Sequence, residues 1–232
     1  MKKSIILTCI IIVSILSCTN EKNNDFNTRY FYEKMDKQKS TYGFNQFNVE
    51  TRNIGENKEI TFTIINPTKI INDTIITDEV SIELLKSVFS ETEIDSTIMS
   101  AIFTYVFNFE KTSHLYTIDE IYYYISEVEY GNSDYKMSER LMSKAIKINQ
   151  VPIYYKNRGF ANYRLKNYKA AEKDFLEYIK LSKQEDLQTL VFLARCYMNQ
   201  DMEKENITLI NKIKKSFPSY EKINSIDIRY NK

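Results

Sequence analysis

The sequence predicts an α+β protein: a small N-terminal ββαβ unit followed by an all-helical array of about three helix pairs. Three observations carry this. Between residues 46 and 117, apolar residues alternate at the period of two that marks half-buried strands. From residue 118 onward they fall at helical spacing instead. Within that helical half, similar residues recur at intervals of 33 to 35, the mark of an array of repeated supersecondary units.

Composition bounds what such a chain can do. Of its 232 residues 43% are hydrophobic and 13% aromatic, so it can bury a packed core and is not globally disordered. Four glycines and three prolines are too few for a low-complexity or loop-built protein. Lys plus Arg is 32 against 31 Asp plus Glu, a net charge of +1 that lacks the basic surplus phosphate contacts need, so no nucleic-acid partner is expected. His114 is the one histidine in the sequence, which excludes any mechanism needing two imidazoles in one chain.

Residues 1–17 read as an export signal. Met1-Lys2-Lys3-Ser4 is a basic start, Ile5 to Leu16 is a short apolar run, and Ser17 precedes the break. At ~1.5 Å per residue the run spans roughly 18 Å, short of the ~30 Å hydrocarbon core of a bilayer. Ile15-Leu16-Ser17-Cys18 resembles a bacterial lipobox, which implies cleavage before Cys18 and acylation of its thiol. Polarity switches abruptly after it, at Thr19-Asn20-Glu21-Lys22. Lys2 and Lys3 leave with the signal and no acid does, so the mature form, residues 18–232, falls from +1 to −1. Several acyl chains at ~0.8 kcal/mol per CH₂ would anchor it stably to a leaflet. The resemblance also implies a cell-envelope location, on the outer membrane, because Thr19 is not the Asp that retains lipoproteins at the inner one. Cys9 is lost and Cys18 acylated, leaving Cys196 as the free thiol, so no internal disulfide is expected.

Residues 18–45 read as a tether, polar and aperiodic over 19–29, with a possible helix near Tyr30–Lys39. The small α/β unit spans 46–117. Phe47, Val49 and Thr51 alternate up to Asn53-Ile54-Gly55-Glu56-Asn57, and Lys58 to Ile65 alternates again before Asn66-Pro67, a hairpin pattern. Asp78 is placed to cap a helix through Val80, Leu84, Leu85, Val88 and Phe89. Ala101, Phe103, Tyr105, Phe107 and Phe109 then form the aromatic face of a strand, which a single sheet must bury.

The repeats divide as 118–151, 152–185 and 186–219. On the first helices Tyr122, Tyr155 and Leu190 recur at 33 and 35, as do Ser126, Gly159 and Ala194. On the second helices Tyr135, Tyr168 and Met202 recur at 33 and 34, with Met142, Phe175, Leu209 and Ile146, Ile179, Ile213 in step. This register shortens the third intra-repeat turn by one residue. Residues 220–232 carry Tyr220, Ile223, Ile226 and Ile228 as a C-terminal tail or short capping helix.

These units resemble the tetratricopeptide repeat, a pair of antiparallel helices of about 34 residues. The middle copy carries the likeness: Tyr155, the small Gly159 and Tyr163 on one helix, then Asn167-Tyr168, Ala171 and Phe175 on the next, with Ile179 and Leu181 closing it. The first copy supplies Asp134-Tyr135, Ser138, Met142, Ala145, Ile146 and Pro152. In the third, Leu193-Ala194 and Phe217-Pro218 fit, while Glu205 and Lys212 stand at small-residue positions. The resemblance implies a solenoid whose groove is lined by exposed first-helix residues: Tyr123, Glu127 and Tyr130, then Lys156, Phe160, Tyr163 and Arg164, then Arg195 and Met198. Aromatic and Arg side chains suit capture of a protein or peptide partner. Lys156-Asn157 partly matches the family's carboxylate-clamping pairs, but Gln188 and Phe192 stand where basic residues would complete them.

No phosphate-cradling glycine loop, metal-ligand cluster or cofactor motif stands in the sequence. Glu127 and Glu129, two apart on a helix, face different sides, and Cys196 reads as a buried helix thiol. The expectation is therefore a non-catalytic, lipid-anchored envelope scaffold that binds a protein or peptide and needs no cofactor or metal. The alternative is a hydrolase-like enzyme in 46–117 with the repeats as its adaptor. For the anchor, Cys18→Ser is expected to leave the protein unlipidated, and either uncleaved or soluble. Metabolic labelling with a fatty acid checks it, and an unlabelled wild type removes the anchor.

Overall fold

The computed structural model describes residues 26–44, 46–70, 74–89, 98–107 and 110–220. The lipobox, its Cys18, Phe109 and the tail beyond Tyr220 lie outside them. The chain divides into two compact units, one ending at Thr117 and the other running on from Ile118.

The first unit is a mixed α/β layer pair. In order it holds α1 (Phe26–Tyr42), β1 (Gln46–Ile54), β2 (Asn57–Ile65), α2 (Thr74–Val88), β3 (Ile98–Phe107) and β4 (Glu110–Thr117). The sheet order is β1-β2-β3-β4. β1 and β2 pair antiparallel around Gly55, whose φ of +64° suits a residue with no Cβ. β2 and β3 run parallel and so need the α2 crossover between them. Alternation then puts Val49, Phe62 and Phe103 side by side on one face. The Phe62 and Phe103 rings stack 4.7 Å apart, and Phe31 of α1 meets Phe62 edge-on at 5.8 Å. Leu84, Leu85 and Val88 of α2 are wholly buried, completing the cover.

This unit differs from the expected ββαβ in two respects. A fourth strand, β4, follows β3 and pairs with it antiparallel. It carries no apolar alternation because its partly or fully buried residues, Thr112, His114 and Tyr116, are polar, while Leu115 is 59% exposed. Asp78 does not cap α2, which begins four residues earlier at Thr74. Its carboxylate instead accepts the Tyr116 hydroxyl at 2.6 Å.

The second unit is helical throughout its described length: α3 (Ile118–Gly131), α4 (Tyr135–Ile148), α5 (Pro152–Arg164), α6 (Tyr168–Ser182), α7 (Leu187–Asn199) and α8 (Glu203–Ser216). Three-residue turns at 132–134, 165–167 and 200–202 close three pairs, α3/α4, α5/α6 and α7/α8. The middle residue of each turn is left-handed: Ser133 (φ 67°), Lys166 (φ 62°) and Asp201 (φ 55°). Starts are signalled locally as well. Asp134 accepts from the Met137 N–H, Asp186 from the Thr189 N–H, and Pro152 opens α5 with its preset φ.

Equal turns mean that the third pair is displaced by 35 residues along both its helices, so the interval of 34 along the second helices does not hold. Asn206 is fully buried where Glu205 was expected and Glu205 is exposed, and Ile210 rather than Leu209 takes the place of Phe175. The extra residues sit elsewhere. α6 has 15 residues against 14 in α4, and the link 183–186 is longer than 149–151.

In each pair, two residues twelve apart are buried, one on each helix: Ser126 with Ser138, Gly159 with Ala171, and Ala194 with Asn206. Size is exchanged between helices there. A Cβ on Gly159 would lie 2.7 Å from Cε1 of the fully buried Phe175, and the positions equivalent to Phe175 hold Met142 and Ile210 opposite Ser126 and Ala194. Asn206 uses its amide to donate to the Ala194 carbonyl at 2.5 Å. A part-buried ion pair adds to the middle pair. Arg158 of α5 donates to both oxygens of Asp174 on α6, at 3.0 and 2.6 Å, and to Ser143 Oγ of α4 at 3.1 Å.

Gly159→Ala should therefore destabilise this unit. Helix propensity favours Ala by about 1 kcal/mol, but overpacking against a confined ring costs about 1–3 kcal/mol. Thermal or urea unfolding followed by helical circular dichroism measures the difference.

Candidate interaction face

The residues proposed from the sequence fall on the first helices α3, α5 and α7, and most of them touch. On α3 the Tyr123 hydroxyl donates to Glu127 Oε1 at 2.9 Å, and its ring lies 5.5 Å from that of Tyr154 on α5. Burial first, then the Glu127 carboxylate, pushes the Tyr123 phenol well above its ordinary range, so it stays a neutral donor. Tyr130 accepts from Arg164 Nε at 3.2 Å, and the same guanidinium lies over the Tyr135 ring. Between α5 and α7 the rings of Phe160 and Tyr163 meet Phe192 at 4.9 and 4.8 Å, and the Arg195 guanidinium lies over the Phe192 ring at 5.2 Å. Met198 is half-buried near the end of α7.

Lys156 is engaged elsewhere. Its ammonium donates to Asp186 Oδ2 at 3.1 Å and lies over the Tyr178 ring. Asp186 also accepts from the Thr189 N–H and hydroxyl, both at 2.9 Å, which makes Lys156 part of the cap of α7. Phe160 is only half-exposed and meets the buried Phe175 ring at 5.2 Å, so it belongs to the core as much as to the face.

Next to this strip lies a recess of about 200 Å³, lined by Ser126, Glu127 and Tyr130 of α3, Ser138 of α4, and Asn157 and Phe160 of α5. Ser126 is 1% exposed and its Oγ has no hydrogen-bond partner among the described residues. From the sequence, Ser126 and Ser138 were read only as small residues of the repeat, and Asn157 only with Lys156 as a partial match to a carboxylate clamp. Their signal is one of comparison between repeats, since Asn157 is the equivalent of Phe192.

Comparison with known proteins gives likeness in structure only. No family model matches the chain, and no curated protein matches it. Among solved structures, the TPR domain of Arabidopsis OM64 is 18% identical over 48% of this chain and 92% of that one, with a TM-score of 0.44. The first TPR of Spaghetti (RPAP3), bound to an HSP90 peptide, is 14% identical over 47% of this chain and 86% of that one, with a TM-score of 0.43. PilF of Pseudomonas aeruginosa is 10% identical, covering 48% of this chain and 50% of its own, with a TM-score of 0.42.

One arrangement in the first unit has the outline of a nucleophile relay. Thr77 Oγ1 lies 2.8 Å from His114 Nε2, and His114 Nδ1 lies 3.4 Å from Asp78 Oδ1. Thr77 is wholly buried, however, so its hydroxyl is not presented to a substrate. Ser81 and Tyr105 hydroxyls, 3.0 Å apart, continue the cluster inward, where it ties α2 to β3 and β4. In the second unit burial pushes the Cys196 thiol up to about 12, leaving no thiolate at neutral pH. Among the described residues no group of three potential ligands is placed to hold a metal, and no helix is long and apolar enough to cross a membrane.

The Asp186 cap yields a pH prediction. Burial pushes its carboxyl up, but the Thr189 and Lys156 hydrogen bonds outweigh burial and hold it below its ordinary value. A depressed carboxyl stabilises the fold fully above its unfolded value, about 3.9, and the contribution is lost as pH falls through the folded value. Asp186→Ala should cost about 1 kcal/mol at pH 7, and its gap to wild type should shrink as the pH falls below about 3.9. Melting temperatures of both proteins from pH 2.5 to 7 test this.

Proposed function

We propose that this protein is a non-catalytic interaction module of the tetratricopeptide-repeat kind, carried on a lipid anchor at Cys18 in the cell envelope, on the outer membrane. It binds a protein or peptide partner through the face of α3, α5 and α7. The observation that carries the reading is the chain of aromatic and guanidinium side chains across these three helices: Tyr130 with Arg164, then Tyr163 and Phe160 with Phe192, then Arg195. Such groups are the ones on which binding energy concentrates. The lipobox resemblance and the polar tether after it support the anchor. The burial of Thr77 supports a structural rather than a catalytic role for the His114 cluster.

The test uses exposed members of the face, so that folding is spared. Phe160 is unsuitable because it packs on Phe175. Glu127 and Arg164 are exposed, and changing both to Ala should weaken capture of the native partner about 30-fold, the equivalent of one hot spot of ~2 kcal/mol. The partner is first identified by crosslinking in native cells, and its affinity is then measured with purified proteins. Lys173→Ala, exposed on α6, is the control expected to bind normally. Loss in the control with full binding by the double variant would place the site elsewhere. Hydrolytic turnover that disappears on changing one polar residue of 46–117 would establish the enzyme instead.

A further inference from the structure

Two grooves between successive second helices, α4 to α6 over α5 and α6 to α8 over α7, are built from equivalent positions. The first is closed by a polar bridge. Arg158 of α5 reaches Asp174 on one wall and Ser143 on the other, and Asn162 donates to Asp174 at 3.1 Å. In the second groove Leu193 stands in place of Arg158, Tyr197 of Asn162, Leu209 of Asp174 and Leu176 of Ser143. A recess of about 390 Å³ remains there, lined by Leu176 and Ile179 of α6, Leu193 and Tyr197 of α7, and Thr208 and Leu209 of α8. Leu176 is 43% exposed in it. The polar bridge satisfies itself, whereas an open apolar groove gains free energy from being covered.

We propose that the α6–α8 groove is covered by the chain's own residues 221–232. The described chain ends at Tyr220, four residues past α8, the helix that walls the groove. Phe217 and Tyr220 are partly buried against the cluster that holds Leu190, Leu193 and Leu209, so the chain is held to this core up to that point. The distance back along α8 from Ser216 to Lys204 is about 18 Å at 1.5 Å per residue. Twelve residues reach up to about 40 Å, enough to run the length of the groove. The segment brings Ile223, Ile226, Ile228 and Tyr230 as apolar cover. Between Ile223 and Tyr230 it carries one acid, Asp227, and one base, Arg229, matching a rim on which Lys204 and Lys212 balance Glu185 and Glu205. Attachment at one end makes weak apolar contacts sufficient, because the segment meets the groove at a high effective concentration.

Amide chemical shifts of the full chain test this. Changing Ile226→Ser and Ile228→Ser together should shift the amides of Leu176, Tyr197 and Thr208 and leave those of α3 unmoved. The probe is a synthetic peptide of residues 221–232. It should bind this variant saturably and restore the wild-type shifts. Wild type should bind it about tenfold more weakly, because its own segment competes at millimolar effective concentration against an affinity of about 0.1 mM. Adding Leu176→Glu to the variant should abolish peptide binding. Thr208→Glu, at an exposed position of the same groove, serves if Leu176→Glu does not fold. Unmoved groove amides in the Ile226/Ile228 variant, equal peptide affinity for variant and wild type, or binding that survives the groove substitution overturns the proposal. Wild-type groove shifts that change with protein concentration assign the groove to a second copy and overturn it as well. None of these readouts involves the proposed partner face.

Discussion

Everything in the helical unit depends on how closely two helices can cross. Each pair buries a small residue of its first helix and, twelve positions on, a residue of its second, and the space left determines what the second helix can present. Gly159 is the limiting case, because no Cβ can be placed there without meeting the Phe175 ring. Since Phe175 is fully buried and touches Phe160 and Phe192, a shift at the crossing is passed to the α5–α7 contact. A packed interior transmits such a change because it holds few voids to absorb it.

The same constraint connects stability with recognition. Aromatic residues that secure the α5–α7 contact are also the ones half-exposed on the proposed binding face, so part of that face is core. The Arg158–Asp174 pair ties α5 to α6 and, through Ser143, to α4, with Asp174 only 3% exposed and Arg158 partly exposed. Removing Arg158 would leave the buried Asp174 carboxylate without its counter-charge. Exposed charges such as Glu127 and Arg164 are freer to vary, and under the proposed function they are where partner choice would be set without disturbing the stack.

Much of the architecture was legible because period reports burial directly. Alternation marked the β1–β2 hairpin, and the recurrence of Ser126, Gly159 and Ala194 marked the crossings. β4 was hidden because residues with polar groups do its inward packing, with His114 and Tyr116 hydrogen-bonded to α2. The 34-residue interval along the second helices was wrong for a related reason. Glu205 and Asn206 are both polar, and only burial separates the one that packs at the crossing from the one that faces solvent. The role of Lys156 was also out of reach, since its partner Asp186 lies 30 residues away across an inter-pair link. The recess had a signal in the sequence, but only as a contrast between Asn157 and Phe192 once the repeats were in register.

The central claim is that small residue and large partner are matched in size across each helix crossing. A double-mutant cycle at Gly159 and Phe175, read by equilibrium unfolding, tests it most directly. Gly159→Ala and Phe175→Ile reproduce together the Ala194–Ile210 combination of the third pair. Each alone should destabilise, by overpacking in one case and by a cavity in the other. The account predicts that the double variant is more stable than the sum of the single effects by about 1 kcal/mol or more, because the smaller side chain makes room for the new methyl group. Simple additivity, or a Gly159→Ala protein as stable as wild type, would contradict it.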